Sequence, residues 1–263
     1  MLSLYKKLKS LIPKMWKYPL WWIFKSPQRE FGWSTLIQDL SALAAFCFYS
    51  LFRFKKLKQI SICVGIYNRS EIFMIGFLNS LQNVKNKNLV ELSVFDCGSN
   101  DVENLELEIR KKWNGNLVFN QEKLKFTRAK SFNNAVEQSS SEIIFVCDAD
   151  MNIPEDIVSI CNHYTSQKLV WYPIVFYVMK DMPTIISNAY GHWMQFGGKG
   201  MFASRKSEFL KVGKLNESFT EWGREDDDLW ERFMKNGYHI IRNRQTGLIH
   251  NWHESFNPKY QVS

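Results

Sequence analysis

Between residues 59 and 150 the chain repeats one pattern: a short apolar run, a turn, then a stretch with helical periodicity. Residues 59–66 lead into a helix through Phe73, Ile75, Leu78 and Leu81. Residues 89–95 lead into a helix over 102–113, and residues 117–120 into one over 128–138, before the run Ile143-Ile144-Phe145-Val146-Cys147. Continuous apolar runs rich in β-branched and aromatic residues are the mark of strands covered on both faces, and strands that alternate with helices pair in parallel. The predicted fold is α/β: a mostly parallel, Rossmann-like central sheet flanked by helices. Right-handed crossovers gather the strand ends Tyr67, Asp96 and Asp148 along one edge, outside the carboxyl ends of the strands, where open α/β sheets bind ligands.

The run at 143–147 ends in two carboxylates, Asp148-Ala149-Asp150. Carboxylates spaced i, i+2 at a strand end can present oxygens to a hard divalent cation, and that cation can neutralise a diphosphate. The D-x-D draws its weight from the buried strand before it and from residues 152–156 after it, where Pro154 and two acids start another helix. At the neighbouring strand ends, Asp96 sits in a turn with Gly98, Ser99 and Asp101, placed to accept the N–H of a pyrimidine ring on which Tyr67 can stack. Arg128, near a helix start, can meet a diphosphate through its planar fork. Each of the three also has a plainer explanation, as turn residue, core rim and surface charge.

The second half changes character. An aromatic extended run covers 168–178, Gly197, Gly198 and Gly200 mark a bend or a close ligand approach, and a short helix is expected over 204–212. Trp222-Gly223-Arg224-Glu225-Asp226-Asp227-Asp228 then precedes a helix whose apolar stripe is Leu229, Trp230, Phe233 and Met234. At 100° per residue Asp226 falls near the centre of that stripe and Asp228 opposite it. An inward Asp226 beside Trp222 and Trp230 is partly desolvated, which suits a general base. The helix dipole alone accounts for Asp227 and Asp228. Near the end of the chain, His250 and His253 flank Trp252 and offer imidazoles to the metal that the D-x-D begins to bind.

Charge divides the chain. Residues 1–60 hold 11 Lys and Arg against 2 acids, whereas residues 61–263 hold 23 against 24. The main domain therefore lacks the basic face that nucleic-acid binding requires. Residues 1–57 read as a separate, basic, Trp-rich helical segment, with lysines alternating with Leu2, Leu4, Leu8 and Leu11 ahead of Trp16, Trp21 and Trp22. Such a segment suits peripheral attachment to an anionic leaflet; packing on the main domain is the competing reading. A second apolar stretch at 36–54 contains Asp39, which argues against its spanning a membrane. No cleavable leader is apparent. Five cysteines form no C-x-x-C pair and read as reduced core residues of an intracellular protein.

Tyr67-Asn68-Arg69, Asp96-Cys97-Gly98-Ser99, Arg128-Ala129 with Asn133 and Asn134, and Asp148-Ala149-Asp150 together resemble the nucleotide-sugar half of GT-A fold glycosyltransferases. Gly197-Gly198, the Trp222–Asp228 element and the final histidines resemble the acceptor half of the β-1,4-galactosyltransferase and chondroitin-polymerase-like branch. The resemblance covers about residues 59–255. It implies a domain of residues 58–263, with a nucleotide-sugar half (58–153) and an acceptor and catalytic-base half (154–263). It also implies an inverting transferase that takes a hexose or N-acetylhexosamine from a UDP-sugar. Asp226 would be the base, and Glu225, Trp222 and Gly198 would bind acceptor. Ile66, Tyr67, Arg69, Asp96, Arg128 and Asp148 would bind the donor, and Asp150, His250 and His253 would hold Mn²⁺ or Mg²⁺. Arg224 stands where the galactosyltransferases often have Gly, and His250 where some have Met. The expected acceptor is a surface glycan or its lipid-linked precursor, at the inner face of the cell membrane. Trp193 and Trp230 join Trp222 as candidates for a sugar platform. The rival readings are a metal-dependent nucleotidyl- or phosphoryl-transferase and a non-catalytic sugar-binding subunit.

Overall fold

The computed structural model describes residues 40, 43–44, 46–48, 51, 56–194, 198–219 and 223–254. The first half follows the expected alternation. Strand β1 (Ile60–Ile66) leads into helix α1, which runs as α (Ser70–Ile72), π (Phe73–Phe77) and α again (Leu78–Leu81). Then come β2 (Val90–Asp96), α2 (Leu105–Lys112), β3 (Asn116–Gln121), α3 (Arg128–Gln138) and β4 (Ile143–Val146). Asn104 and Thr127 cap α2 and α3, each accepting a backbone N–H in the first turn.

The second half holds the two-residue strand β5 (Met151–Asn152), helix α4 (Ile157–Tyr164), β6 (Leu169–Val178), β7 (Gly191–Trp193) and β8 (Phe202–Arg205). Helices α5 (Lys206–Lys211) and α6 (Glu225–Lys235) and the long strand β9 (His239–His250) complete it. The helix expected over 204–212 is thus shorter, because Phe202–Arg205 is taken up as a strand against β4.

The nine strands among the described residues join one sheet of order β3-β2-β1-β4-β8-β6-β9-β5, with β7 on β6. Strands β1 to β4 are mutually parallel, as are β6 and β9; β8 runs antiparallel to both β4 and β6 and links the two blocks. The order forces the sheet to curl. Only Cys147–Asp150 connects β4 to β5, a reach of about 18 Å at full extension. On a flat sheet β5 would lie four strand spacings away, about 19 Å, before any turn is made.

The two faces carry separate cores. Ile60, Ile62, Val64 and Ile66 pack with Phe73, Phe77, Leu78, Ile109 and Val158, under α1, α2 and α4. Cys63, Ile144, Val146 and Tyr172 pack with Phe132, Val136, Phe209, Leu229 and Phe233, under α3, α5 and α6. Alternate residues of one strand serve opposite faces, as strand geometry dictates. Cys63, Cys97, Cys147 and Cys161 are buried thiols whose pKa burial raises, in line with an inert core role.

Most of residues 1–57 lies outside the described residues. Phe46 is an exception: it is fully buried and packs on His163 and Tyr164 of α4. No helix among the described residues is long and apolar enough to cross a membrane.

Candidate active site

The register of one short strand pair builds the centre of the site. Met151 pairs with His250 and Asn152 with Ile249, so the end of β9 lies beside the D-x-D although about a hundred residues separate them in sequence. His253 Nε2 stands 2.8 Å and His250 Nε2 3.5 Å from Asp150 Oδ2. His250 is held flat against Tyr177, their ring centroids 4.2 Å apart. His253 Nδ1 lies 2.9 Å from the Glu254 carbonyl, which can only accept; Nδ1 therefore carries its proton and Nε2 faces Asp150.

Burial opposes the charge of Asp150, but its bonds to His250 and His253 outweigh it and hold the carboxyl below its usual range. The bond to Asp150 in turn raises the His253 pKa. Asp150 Oδ1 is buried and has no hydrogen-bond partner among the described residues. The three residues offer ligand atoms within 4.8 Å of one another. Two imidazoles, a carboxylate and an unused buried oxygen fit a divalent transition-metal ion, with the Nδ1–H to carbonyl bond fixing the His253 tautomer as metal sites require.

Arg128, the first residue of α3, joins this centre to the acid helix. Its Nη2 donates to Asp148 Oδ1 and to the Gly200 carbonyl, each at 2.8 Å, and its Nη1 stands 3.5 Å from Glu225 Oε1. The guanidinium lies over the Phe132 ring, 4.5 Å from its centroid. Burial works against its charge, yet Asp148, Glu225 and Asp226 together raise its pKa. A Cβ at Gly200 would lie 2.5 Å from Arg128 Nη2, so only glycine lets the guanidinium seat there. Arg128 was expected to face a diphosphate; its Nη2 is taken by Asp148 and the Gly200 carbonyl, whereas its buried Nη1 makes no hydrogen bond among the described residues.

The acid helix is rotated from its expected setting. Its buried residues are Glu225, Leu229 and Phe233, while Asp226 is half-buried and Met234 exposed. The correction has a physical cause: Arg128 draws Glu225 inward, a charge pairing that apolar periodicity does not register. Asp226 accepts from the Asp227 N–H at 2.9 Å, and its charge contributes to the raised pKa of the buried Tyr172, which burial raises first. Asp228 is structural. It accepts from Arg232 Nε and Nη2 at 2.9 and 2.7 Å, while Arg232 also binds the carbonyls of Val212 and Lys214. Asp227 pairs with Lys199.

At the donor side, Asp96 is fully buried. Its Oδ1 accepts from Ser99 N and Oγ at 3.0 and 2.6 Å, and its Oδ2 from Gln121 Nε2 at 2.6 Å. Asp96, expected to meet a pyrimidine, has both oxygens engaged in shaping the turn. Tyr67 is half-buried and stacks on Phe126, ring centroids 5.6 Å apart, an aromatic partner that sequence reasoning missed. Ile66 ends β1 in the core, and Arg69 donates to the Glu254 carbonyl at 3.1 Å, tying the β1 turn to the histidine segment. Trp222 lies outside the described residues. Gly198 has a φ of 65° beside Met194. Trp230 meets Tyr172 edge-on at 4.8 Å with Lys199 5.1 Å from its ring centroid, and Trp193 carries Arg244 at 5.2 Å.

Residues 50–258 match the family model described as chondroitin N-acetylgalactosaminyltransferase. The chain belongs to that family. Chondroitin sulfate synthase 3 of Mus musculus is 26% identical over 220 residues, covering 74% of this chain and 24% of that protein. Chondroitin sulfate N-acetylgalactosaminyltransferase 1 of Homo sapiens is 26% identical over 156 residues, covering 53% and 29%. The chain thus spans between 24% and 29% of the length of these relatives.

Among solved structures, the mannosyltransferase PcManGT from Pyrobaculum calidifontis in complex with GDP-Man and Mn²⁺ superposes with a TM-score of 0.57 at 14% identity, covering 82% of this chain and 66% of that one. S. aureus TarS 1–349 in complex with UDP gives 0.57 at 17% identity, covering 74% and 60%. These likenesses establish the fold, that of GT-A glycosyltransferases, and the matched family is one of glycosyltransferases.

Proposed function

We propose that this domain transfers an N-acetylhexosamine, N-acetylgalactosamine in first place, from a UDP-sugar to a glycan acceptor with inversion at the anomeric carbon. One observation carries the reading: the D-x-D that sets Asp150 beside His250 and His253 also holds Asp148, which Arg128 ties to Glu225 at the start of the acid helix. The relatives named for N-acetylgalactosamine transfer support the choice of sugar.

In this reading a Mn²⁺ or Mg²⁺ ion on Asp150, His250 and His253 supplies positive charge for the departing diphosphate. Tyr67 and Phe126 supply an aromatic surface for the base. Asp226 takes the proton of the acceptor hydroxyl as that oxygen attacks from the face opposite the diphosphate, and attack from that face inverts the centre. Glu225, buried and ion-paired with Arg128, bounds the acceptor side, with Trp230 and Trp193 as apolar faces for sugar C–H groups. A nucleotidyl transfer would leave both Asp226 and the histidines without a task.

The test is release of UDP from UDP-N-acetylgalactosamine, UDP-N-acetylglucosamine, UDP-glucose and GDP-mannose, with and without Mn²⁺, over chondroitin-type oligosaccharides. Metal-dependent turnover of a UDP-N-acetylhexosamine is expected, and its absence for every donor would sink the proposal. Asp226→Asn should abolish transfer and leave UDP binding intact; an active variant moves the base to Glu225.

We also propose that residues 1–57 attach the domain to an anionic leaflet at the cytoplasmic face, on the strength of their basic, Trp-rich composition. Co-sedimentation with phosphatidylserine vesicles, lost with neutral vesicles or high salt, is the expected result. Equal binding to both vesicle types would remove the electrostatic basis.

A further inference from the structure

Helix α1 is interrupted by a π turn, Phe73–Phe77, a distortion frequent at functional sites. Gly76 sits in this turn. A Cβ there would lie 2.6 Å from Asn251 Nδ2 and 3.3 Å from Asn152 Oδ1, closer than real side chains tolerate in the first case. Alanine is the better helix former, so glycine at this position answers to the close approach and not to the helix.

The residue that approaches lies between the two candidate metal-binding histidines. Asn251 Nδ2 donates to Asn152 Oδ1 at 2.8 Å and to the Asp150 carbonyl at 3.1 Å, and its backbone N donates to the same carbonyl at 2.9 Å. On the other flank of the short strand, the Ile153 N–H donates to Ser80 Oγ of α1 at 2.8 Å. One helix of the first half thus backs both the D-x-D segment and the histidine segment.

We propose that Asn251 is a positioning residue for the cation site, and that the glycine in the π turn of α1 provides the space in which it clasps Asp150 to His250 and His253. Asn251 itself holds no ligand atom in that cluster. The inference rests on the metal-site reading above.

The test is a double-mutant cycle on the full chain, with Mn²⁺ titrated calorimetrically in the presence of saturating UDP. His253→Ala, as the reference, should lose Mn²⁺ binding. Asn251→Ala and Gly76→Ala should each weaken it about 10- to 100-fold, the range for groups that orient metal ligands. Asn251→Leu, which keeps the bulk but neither donates nor adds charge, should weaken it likewise. The double variant Gly76→Ala/Asn251→Ala should be no weaker than Asn251→Ala alone, since the added methyl then no longer meets the Asn251 amide. Additive losses, or wild-type affinity in Asn251→Ala and Asn251→Leu, would overturn the clasp while His253→Ala still reports a metal site. A wild-type chain that binds no Mn²⁺ would overturn the metal-site reading and the clasp together.

Discussion

Arg224 carries a φ of 88°, in the left-handed region that a side chain adopts only at a cost of about 1–2 kcal/mol. It sits immediately before the first turn of α6, at the position where the galactosyltransferase pattern often has glycine. Arg224→Gly should therefore stabilise the domain by about 0.5–1 kcal/mol after the entropy that glycine adds to the unfolded chain. Thermal unfolding should shift upward by about 2 °C, and an unchanged or lower Tm would show that the arginine makes compensating contacts. Arg128 is the opposite case. Replacing it with Met leaves Asp148 and Glu225 facing each other in a largely buried site, a loss of about 3 kcal/mol by urea unfolding. A loss below about 1 kcal/mol would mean that the pair is solvated in solution. The grouping of Asp150, His250 and His253 was legible in the sequence because a carboxylate pair at a strand end and two imidazoles near one another share one cation chemistry. The burial of Glu225 was not, because it depends on which carboxylate faces Arg128 across the fold. Gln121, which takes the second oxygen of Asp96, likewise carries no sign of that role in the sequence.

The elements read from the first half stand because their strands are mostly apolar and bounded by turns. Strand β9 is different: Arg242, Asn243, Arg244, Gln245 and Thr246 give it no apolar signature, yet Asn243 is fully buried and accepts the Trp171 indole N–H at 2.7 Å. Its side chains are paid for by partners on other strands, which local pattern cannot reveal. Strand β8 escaped for a related reason, since Phe202–Arg205 is short and merges directly into α5. Helix α3 is sewn to the loop before α6 by Asn133, whose side chain exchanges hydrogen bonds with Leu215 N and O at 3.0 and 2.9 Å. Asn133→Leu strands both backbone groups, and a loss of about 2–3 kcal/mol in chemical unfolding is expected. Phe46 makes a comparable test of the N-terminal segment. Phe46→Ala should cost about 3 kcal/mol if the segment is part of the folded unit, and should speed proteolysis ahead of residue 56. Unchanged stability and cleavage would show that the contact with α4 adds nothing in solution.

At the scale of the molecule, the site is shared between halves of the chain that the sequence presents as separate. A chain ending at residue 249 should keep most of its sheet and lose Mn²⁺ and Mn²⁺-dependent UDP binding, measured by calorimetry. Retained metal dependence would place the ligands elsewhere. The position of β9 between β6 and β5 also carries a consequence for how the protein is made. His253 follows Asp150 by 103 residues, so at about 5–20 residues per second a ribosome delivers the histidines roughly 5–20 s after the D-x-D. Through that interval the nascent domain can form β1 to β4 but has no strand to register Asp150. The registration of Asp150 thus waits on β9, which slots in between β6 and β5 long after the D-x-D has been made.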